Sequence, residues 1–184
     1  MDSNTINYNE EVLKGGLIIA GVSILLTMVT YIINVELMVA WWYGLLAIAI
    51  SMGLVIYIGI SFRNITGGYI SYKDSLKFTF LVFTVSYVVG AMFNILLYNV
   101  IDPSLPEVMK ELTVQNTVTM MEGFGAPQET IDASIPEIEK SIEENTSAVG
   151  IIKATPWGLL FVFVLAAISS IFVKKNEPVS DRIN

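Results

Sequence analysis

Hydrophobic positions in this chain gather into four long blocks rather than spreading through a mixed pattern. The first runs from about residue 15 to 33, the second from 41 to 62, the third from 78 to 100, and the fourth from 157 to 173. The first two hold no charged residue, and the fourth, 17 residues long, ends at Lys174 and Lys175. A helix crossing the hydrocarbon core of a bilayer needs about 20 consecutive apolar residues. One short apolar run is compatible with a buried helix of a soluble domain, but four together are not. The pattern therefore predicts four transmembrane helices.

Between the third and fourth blocks the pattern changes to one of helical period. Leu105, Val108, Met109 and Leu112 recur at helical spacing, and apolar residues continue through Val118, Met121 and Phe124. Gly123, Gly125 and Pro127 break the run. A second stretch places Ile131, Ile135, Ile138, Ile142, Val149 and Ile152 in a heptad-like register with acids on the other faces. Pro136 falls inside it, which predicts a helix starting near Ser134 with the proline in its first turn. A connection of about 55 residues is too long for a plain loop in a compact bundle. Two helices of ~20 residues would extend ~30 Å each, and a helical hairpin is expected. It would close its own apolar seam, lean on the membrane surface, or meet a partner.

The fold class predicted is thus all-α: an integral membrane four-helix bundle with an extracytoplasmic helical hairpin between spans 3 and 4. Residues 1–100 hold the first three spans, 101–156 the acidic hairpin segment, 157–175 the fourth span with its lysines, and 176–184 a cytoplasmic tail.

Composition agrees: 54% of residues are apolar and 15% charged, above and below soluble usage respectively. The first block is a poor signal peptide, because Asp2, Glu10 and Glu11 outnumber Lys14 before it and no small-residue cleavage pattern follows. Orientation follows from the bases. Lys14, Arg63, Lys73, Lys77, Lys174, Lys175 and Arg182 all share one side of a four-span topology, which the positive-inside rule makes cytoplasmic for both termini. Trp41, Trp42 and Trp157 then fall at the opposite headgroup level, where indole rings are favoured.

Charge elsewhere is concentrated. Residues 98–156 carry ten acids and three lysines, so that segment alone accounts for the net −7 of the chain. Nucleic acid is excluded as a partner, since phosphate contacts need clustered Lys and Arg. With no cysteine and no histidine, disulfides, thiolate nucleophiles and the usual zinc or haem ligands are excluded. No cofactor is implied.

Small and hydroxylated residues form stripes along the spans. In the first the stripe reads Gly16, Ala20, Ser23, Thr27, Thr30 and Asn34. The second has Gly44, Ala47 and Ser51, the third Ser86, Gly90 and Asn94, and the fourth Ala166 and Ser170. Lipid supplies no hydrophobic drive between helices, so such residues are expected to mark packing faces. The functional alternative is a polar path.

The connection before the third span contains Gly67-Gly68, which permits positive φ. Ser71 followed by Asp74 resembles a capping box that starts the third helix before it enters the bilayer. A phosphate cradle is the weaker reading, because the Lys-Ser/Thr of a P-loop is missing. Asp102-Pro103 is expected to end the third helix. Glu137, Glu139, Glu143 and Glu144 could bind a divalent cation weakly, although no EF-hand spacing is present. A solvated helical face is the plainer reading.

Together these landmarks resemble the bacterial membrane proteins grouped as domain of unknown function 4199. The matching features are the Trp41-Trp42 pair, the run from Gly67 to Asp74, Asp102-Pro103, and Thr155-Pro156-Trp157-Gly158. Asp74 stands where the family usually has Glu. The resemblance implies a four-span protein of the bacterial inner membrane and carries over no activity and no functional residue.

For function, the spans lack the intramembrane Asp, Glu, Arg or Lys that ion and proton relays usually display. That favours a non-enzymatic scaffold or accessory subunit, with lipid bilayer around it and either a second copy or a membrane or periplasmic protein as partner. The alternative is a small transporter or channel, alone or as an oligomer, in which Asn94, Ser86, Thr27 and Thr30 line a polar path. An intramembrane enzyme is least expected. Glu36 and Asp102 both lie near the outer interface and could approach each other, but two hydrated surface carboxylates are the plainer reading, and nothing forms a nucleophile with a base.

Overall fold

The computed structural model describes residues 7–178. Among these, six α-helices follow one another, and no β-strand is present beyond one isolated bridge. Helix α1 spans Tyr8–Ile33, α2 Trp41–Ile65, α3 Tyr72–Leu96, α4 Leu105–Gly123, α5 Gln128–Thr146 and α6 Ala148–Val173. A 3₁₀ turn, Val35–Val39, joins α1 to α2, and α3 widens into a π turn over Leu97–Ile101.

Helices α1, α2, α3 with its π turn, and α6 are long and apolar enough to cross a membrane. At 26 residues, α1 and α6 reach about 39 Å at the standard rise, beyond the ~30 Å of a hydrocarbon core. No more than 28% of the apolar stretch of any of the four is buried by the rest of the chain. Leu25, Ile32, Tyr57 and Phe172 are among the large side chains left outside. In water such surfaces would drive aggregation; acyl chains are the solvent that suits them.

The fourth long helix begins nine residues before the apolar block does, and the reason is local. Ser147 is extended (φ −72°, ψ 145°), and its Oγ accepts the Gly150 N–H at 3.0 Å, which makes it the cap of α6. Helix α5 ends there, so Val149 and Ile152 belong to α6 and do not continue the isoleucine register of α5. The expected start of α5 near Ser134 is likewise corrected. Helix α5 begins at Gln128, after Pro127, and Pro136 sits well inside it. Pro136 and Pro156 both lie within helices, each costing one backbone hydrogen bond. Pro136 is exposed, so the carbonyl it leaves unpaired has water within reach.

The chain divides into two compact units. Of the described residues, the first contains 7–24, 46–90 and 157–178. Its core is aromatic: Phe62 and Phe78 stack at 4.1 Å with rings 7° apart, and Tyr8 stands edge-on to both. Val55, Val82, Ile19, Val162 and Ala166 close around them. Backbones approach closely where glycine allows it. A Cβ on Gly16 would lie 2.5 Å from the Cβ of Val85, one on Gly59 2.7 Å from Val173, and one on Gly158 would collide with the Tyr87 ring.

The second unit contains 25–45 and 91–156. Its centre is the α4–α5 hairpin. Met121 meets Ser134 near the turn and Lys110 meets Glu143 further away, so the two helices are antiparallel. Leu97, Leu105 and Ile131 are its fully buried apolar residues. Helices α4 and α5 pack on each other, and α4 also packs on the 3₁₀ turn.

Candidate functional site

Two polar constellations arise from these elements, one in each unit. In the first unit, Gly67 and Gly68 both have positive φ (106° and 83°) and turn the chain after α2. Gly68 N–H closes back onto Arg63 O at 2.9 Å. Ser71 then caps α3. The Asp74 N–H donates to its Oγ at 3.1 Å, and the Ser71 hydroxyl donates to Asp74 Oδ2 at 2.6 Å. The carboxylate therefore grips the hydroxyl rather than the Ser71 backbone N–H, a variation on the capping box that the shorter Asp side chain permits.

Ile70 pairs with Lys175 through two backbone hydrogen bonds of 2.9 and 3.0 Å, stitching the segment after α6 to this turn. Arg63 Nη1 donates to Val173 O, the last carbonyl of α6, at 2.9 Å, where a cation is favoured by the helix dipole. Lys77 lies over the Tyr8 ring, Lys174 over Tyr72 and Lys175 over Tyr69, at 5.7, 6.0 and 5.3 Å. A shallow cavity of about 480 Å³ opens among Tyr8, Tyr69, Ser71, Asp74 and Lys175. Two acids, Asp74 and Glu177, and one base, Lys175, line it, and the Ser71 hydroxyl there is held by the Asp74 carboxylate as the cap of α3. Bases at this end number Lys14, Arg63, Lys73, Lys77, Lys174 and Lys175; Arg182 lies outside the described residues.

Deeper in the first unit the small-residue stripe serves packing. Gly16 and Ala20 are buried in α1, and Ala166 and Ser170 in α6. Thr79 and Ser170, both fully buried, share a hydrogen bond of 2.8 Å, while Ser170 also donates to Ala166 O at 2.6 Å. Ser86 and Asn94 are half-buried, as are Ser23 and Thr27. Gly90 departs from the packing expectation, because a Cβ there would meet nothing within 4 Å. Thr30, buried in the second unit, bonds Tyr43 Oη at 3.0 Å and its own helix.

In the second unit, Asp102 is the hub. The π turn ends at its N–H, which donates to Leu97 O, and its backbone is extended (φ −140°) as the following Pro103 requires. Its Oδ1 accepts the Ser104 hydroxyl at 2.5 Å and the Ser104 N–H at 3.0 Å. Its Oδ2 accepts the Tyr31 hydroxyl at 3.0 Å. The Ser104 hydroxyl first, and Tyr31 second, hold the carboxyl below its ordinary pKa. Glu36 takes no part: its N–H and carboxylate engage Asn34. The two acids that sequence alone could bring together are thus occupied separately.

The acids of the hairpin also separate. Glu143 lies 3.6 Å from Lys110, which Glu107 holds at 2.8 Å, and Glu144 lies 3.9 Å from Lys140. The Glu107 carboxylate raises the Lys110 pKa. Among the described residues no three acids converge as metal ligands, so the cation reading of Glu137, Glu139, Glu143 and Glu144 gains no geometry. The partners Tyr31, Tyr87 and Val173 carry no sequence signal, because each meets its mate across a long stretch of chain.

Helix lengths, apolar surfaces and internal contacts define a multi-pass, all-helical membrane protein. The family model described as Protein of unknown function (DUF4199) matches residues 14–175, and the chain belongs to that family. No curated protein and no solved structure gives a significant match.

Proposed function

We propose that this protein is a non-enzymatic scaffold or accessory subunit of the bacterial inner membrane. Both termini face the cytoplasm, and the α4–α5 hairpin makes contacts outside it. One observation carries the reading: α4 and α5 pack on each other, Leu105 and Ile131 are buried, and α5 turns an acidic face outward. Glu129, Asp132, Glu137, Glu139 and Glu144 are all exposed on α5, and only Lys140 stands among them. Glu144 lies 3.9 Å from Lys140 and Asp132 accepts from Gln128 at 2.9 Å, and an acidic face of this kind suits recognition of a basic surface, on a second copy or on a membrane or periplasmic protein. The bases at the Gly67-Gly68 end support the cytoplasmic placement of that end.

The test is cross-linking in intact cells followed by extraction in mild detergent. A stoichiometric partner or a homo-oligomer is expected, and charge reversal at Glu137 and Glu139 should weaken it. A solitary monomer under every condition would sink the reading. Protease added to right-side-out spheroplasts should cut within the α4–α5 segment and spare both tails. The rival reading, a small transporter or channel, is tested by flux from reconstituted liposomes. Solute or ion leakage above protein-free vesicles would favour it.

A further inference from the structure

We infer that the second half of α4 and the turn after it lie in the membrane surface, with Met120 and Phe124 set among lipid chains. The inference rests on the multi-pass placement alone. It needs neither the scaffold role nor a decision on which side of the membrane the hairpin occupies.

The starting point is Trp41 and Trp42, which open α2, a helix long and apolar enough to cross the bilayer. A residue that begins a span stands at the boundary between water and hydrocarbon, and indole rings prefer that level. Trp41 is 81% exposed to the surroundings of the chain. Helix α4 is brought to the same level by its packing on the Val35–Val39 turn that immediately precedes the pair. Between them runs a largely apolar groove of about 450 Å³, with Val39, Trp41 and Trp42 on one wall and Thr113, Thr117 and Met120 on the other.

Charge supplies the second argument. From Leu112 to Met121 α4 has ten residues in succession without a charge, although α5 beside it is studded with acids. The groove-side positions 113, 117 and 120 repeat at helical spacing, and Phe124 follows one turn later. Phe124 is 84% exposed and Met120 55%. Uncharged hydroxyls at headgroup level with a methionine and a phenylalanine beyond them make a face that suits a lipid surface. Glu122, the residue after this run, falls about 200° around the helix from Met120 and so on the side away from the groove. Because the strip continues from the start of a span, the occupant it fits is the lipid around that span.

The chain contains no cysteine, so single cysteines can be introduced in the full-length protein at Met120, Phe124 and, as reference, Ala133 on exposed α5. Each is spin-labelled and reconstituted in phosphatidylcholine nanodiscs, and its relaxation is measured with oxygen and with a water-soluble nickel chelate. Labels at 120 and 124 should favour oxygen, and the label at 133 should favour nickel, with several-fold different ratios. Position 124 is largely exposed, so the label leaves the fold intact. Equal ratios at 124 and 133 would overturn the inference. So would dipolar broadening between labels at 124, which would give this face to a second copy of the chain. As an independent arm, Phe124→Trp in a Trp157→Phe background should gain quenching by brominated phosphatidylcholine over Trp157→Phe alone; no gain would count against lipid contact.

Discussion

The two units solve the same problem, holding helices together without help from water, by different means. The first relies on close approach. Glycine lets α1 settle against Val85, aromatic rings stack at its centre, and a hydroxyl pair is sealed between Thr79 and Ser170. The second relies on polar linkage and a hairpin. Its tie is Tyr31 to Asp102, its buried apolar residues are few, and its glycine in α2, Gly44, faces open space. The contrast teaches that small residues at helical spacing mark contacts only where a neighbouring helix actually arrives. Hydrogen bonds carry the association where it does not.

The sharpest way to break this comparison is a pair of glycine substitutions. Gly16→Ala puts a methyl 2.5 Å from Val85 Cβ and 2.9 Å from Val82 O, and overpacking of this kind costs about 1–3 kcal/mol. Gly44→Ala meets nothing within 4 Å and should stay within about 0.5 kcal/mol of the parent. Thermal unfolding in mild detergent reads both; equal losses would erase the distinction between the units.

A smaller effect is expected from Thr79→Val, which removes one side of the buried hydroxyl pair. Ser170 keeps its bond to Ala166 O, so the loss should resemble the ~0.6 kcal/mol average for such bonds in membranes and stay below about 1.7. A larger loss would mean that the first unit depends on polar linkage as much as the second.

The smallest effect concerns acid. The Asp102 pKa is lower folded than unfolded, so its contribution is present above the ordinary carboxylate value and disappears as pH falls through the folded one. Stability should therefore slope downward on the acid side of that value, and Asp102→Asn should flatten the slope slightly. The carboxyl is exposed, so the change will be small. A steeper slope in Asp102→Asn would reverse the sign and remove Asp102 as the hub. Tyr31→Phe should act in the same direction and more weakly, since Ser104 is the stronger influence.

Much of this architecture was legible because it is local. Four apolar blocks announced four long helices, Gly67-Gly68 announced a turn, and Ser71 with Asp74 announced the start of α3. Asp102-Pro103 marked the end of the third span in the same way. The α5–α6 boundary was misread because Val149 and Ile152 happen to continue the spacing of Ile142. The decisive signal, a Ser147 hydroxyl aimed at Gly150, is one short side chain against six apolar ones. Pro136 misled for a related reason: proline favours a first turn, but at an exposed position the helix can carry it further in. What could not be read were meetings across distance, such as Tyr31 with Asp102, Arg63 with Val173 and Tyr87 with Gly158. Nothing in the composition of either partner names the other.

The bridge between Ile70 and Lys175 has a practical consequence. Residues more than a hundred positions apart are buttoned together by main-chain amides, so a side-chain change at Ile70 or Lys175, proline aside, leaves the fastening groups in place. Cutting the gene after Val173 would undo the fastening, stripping Ile70 of both its peptide mates and freeing the Gly67-Gly68 turn. A reporter fused beyond Glu177 would leave that button closed, and a cropped version would report on a loosened protein.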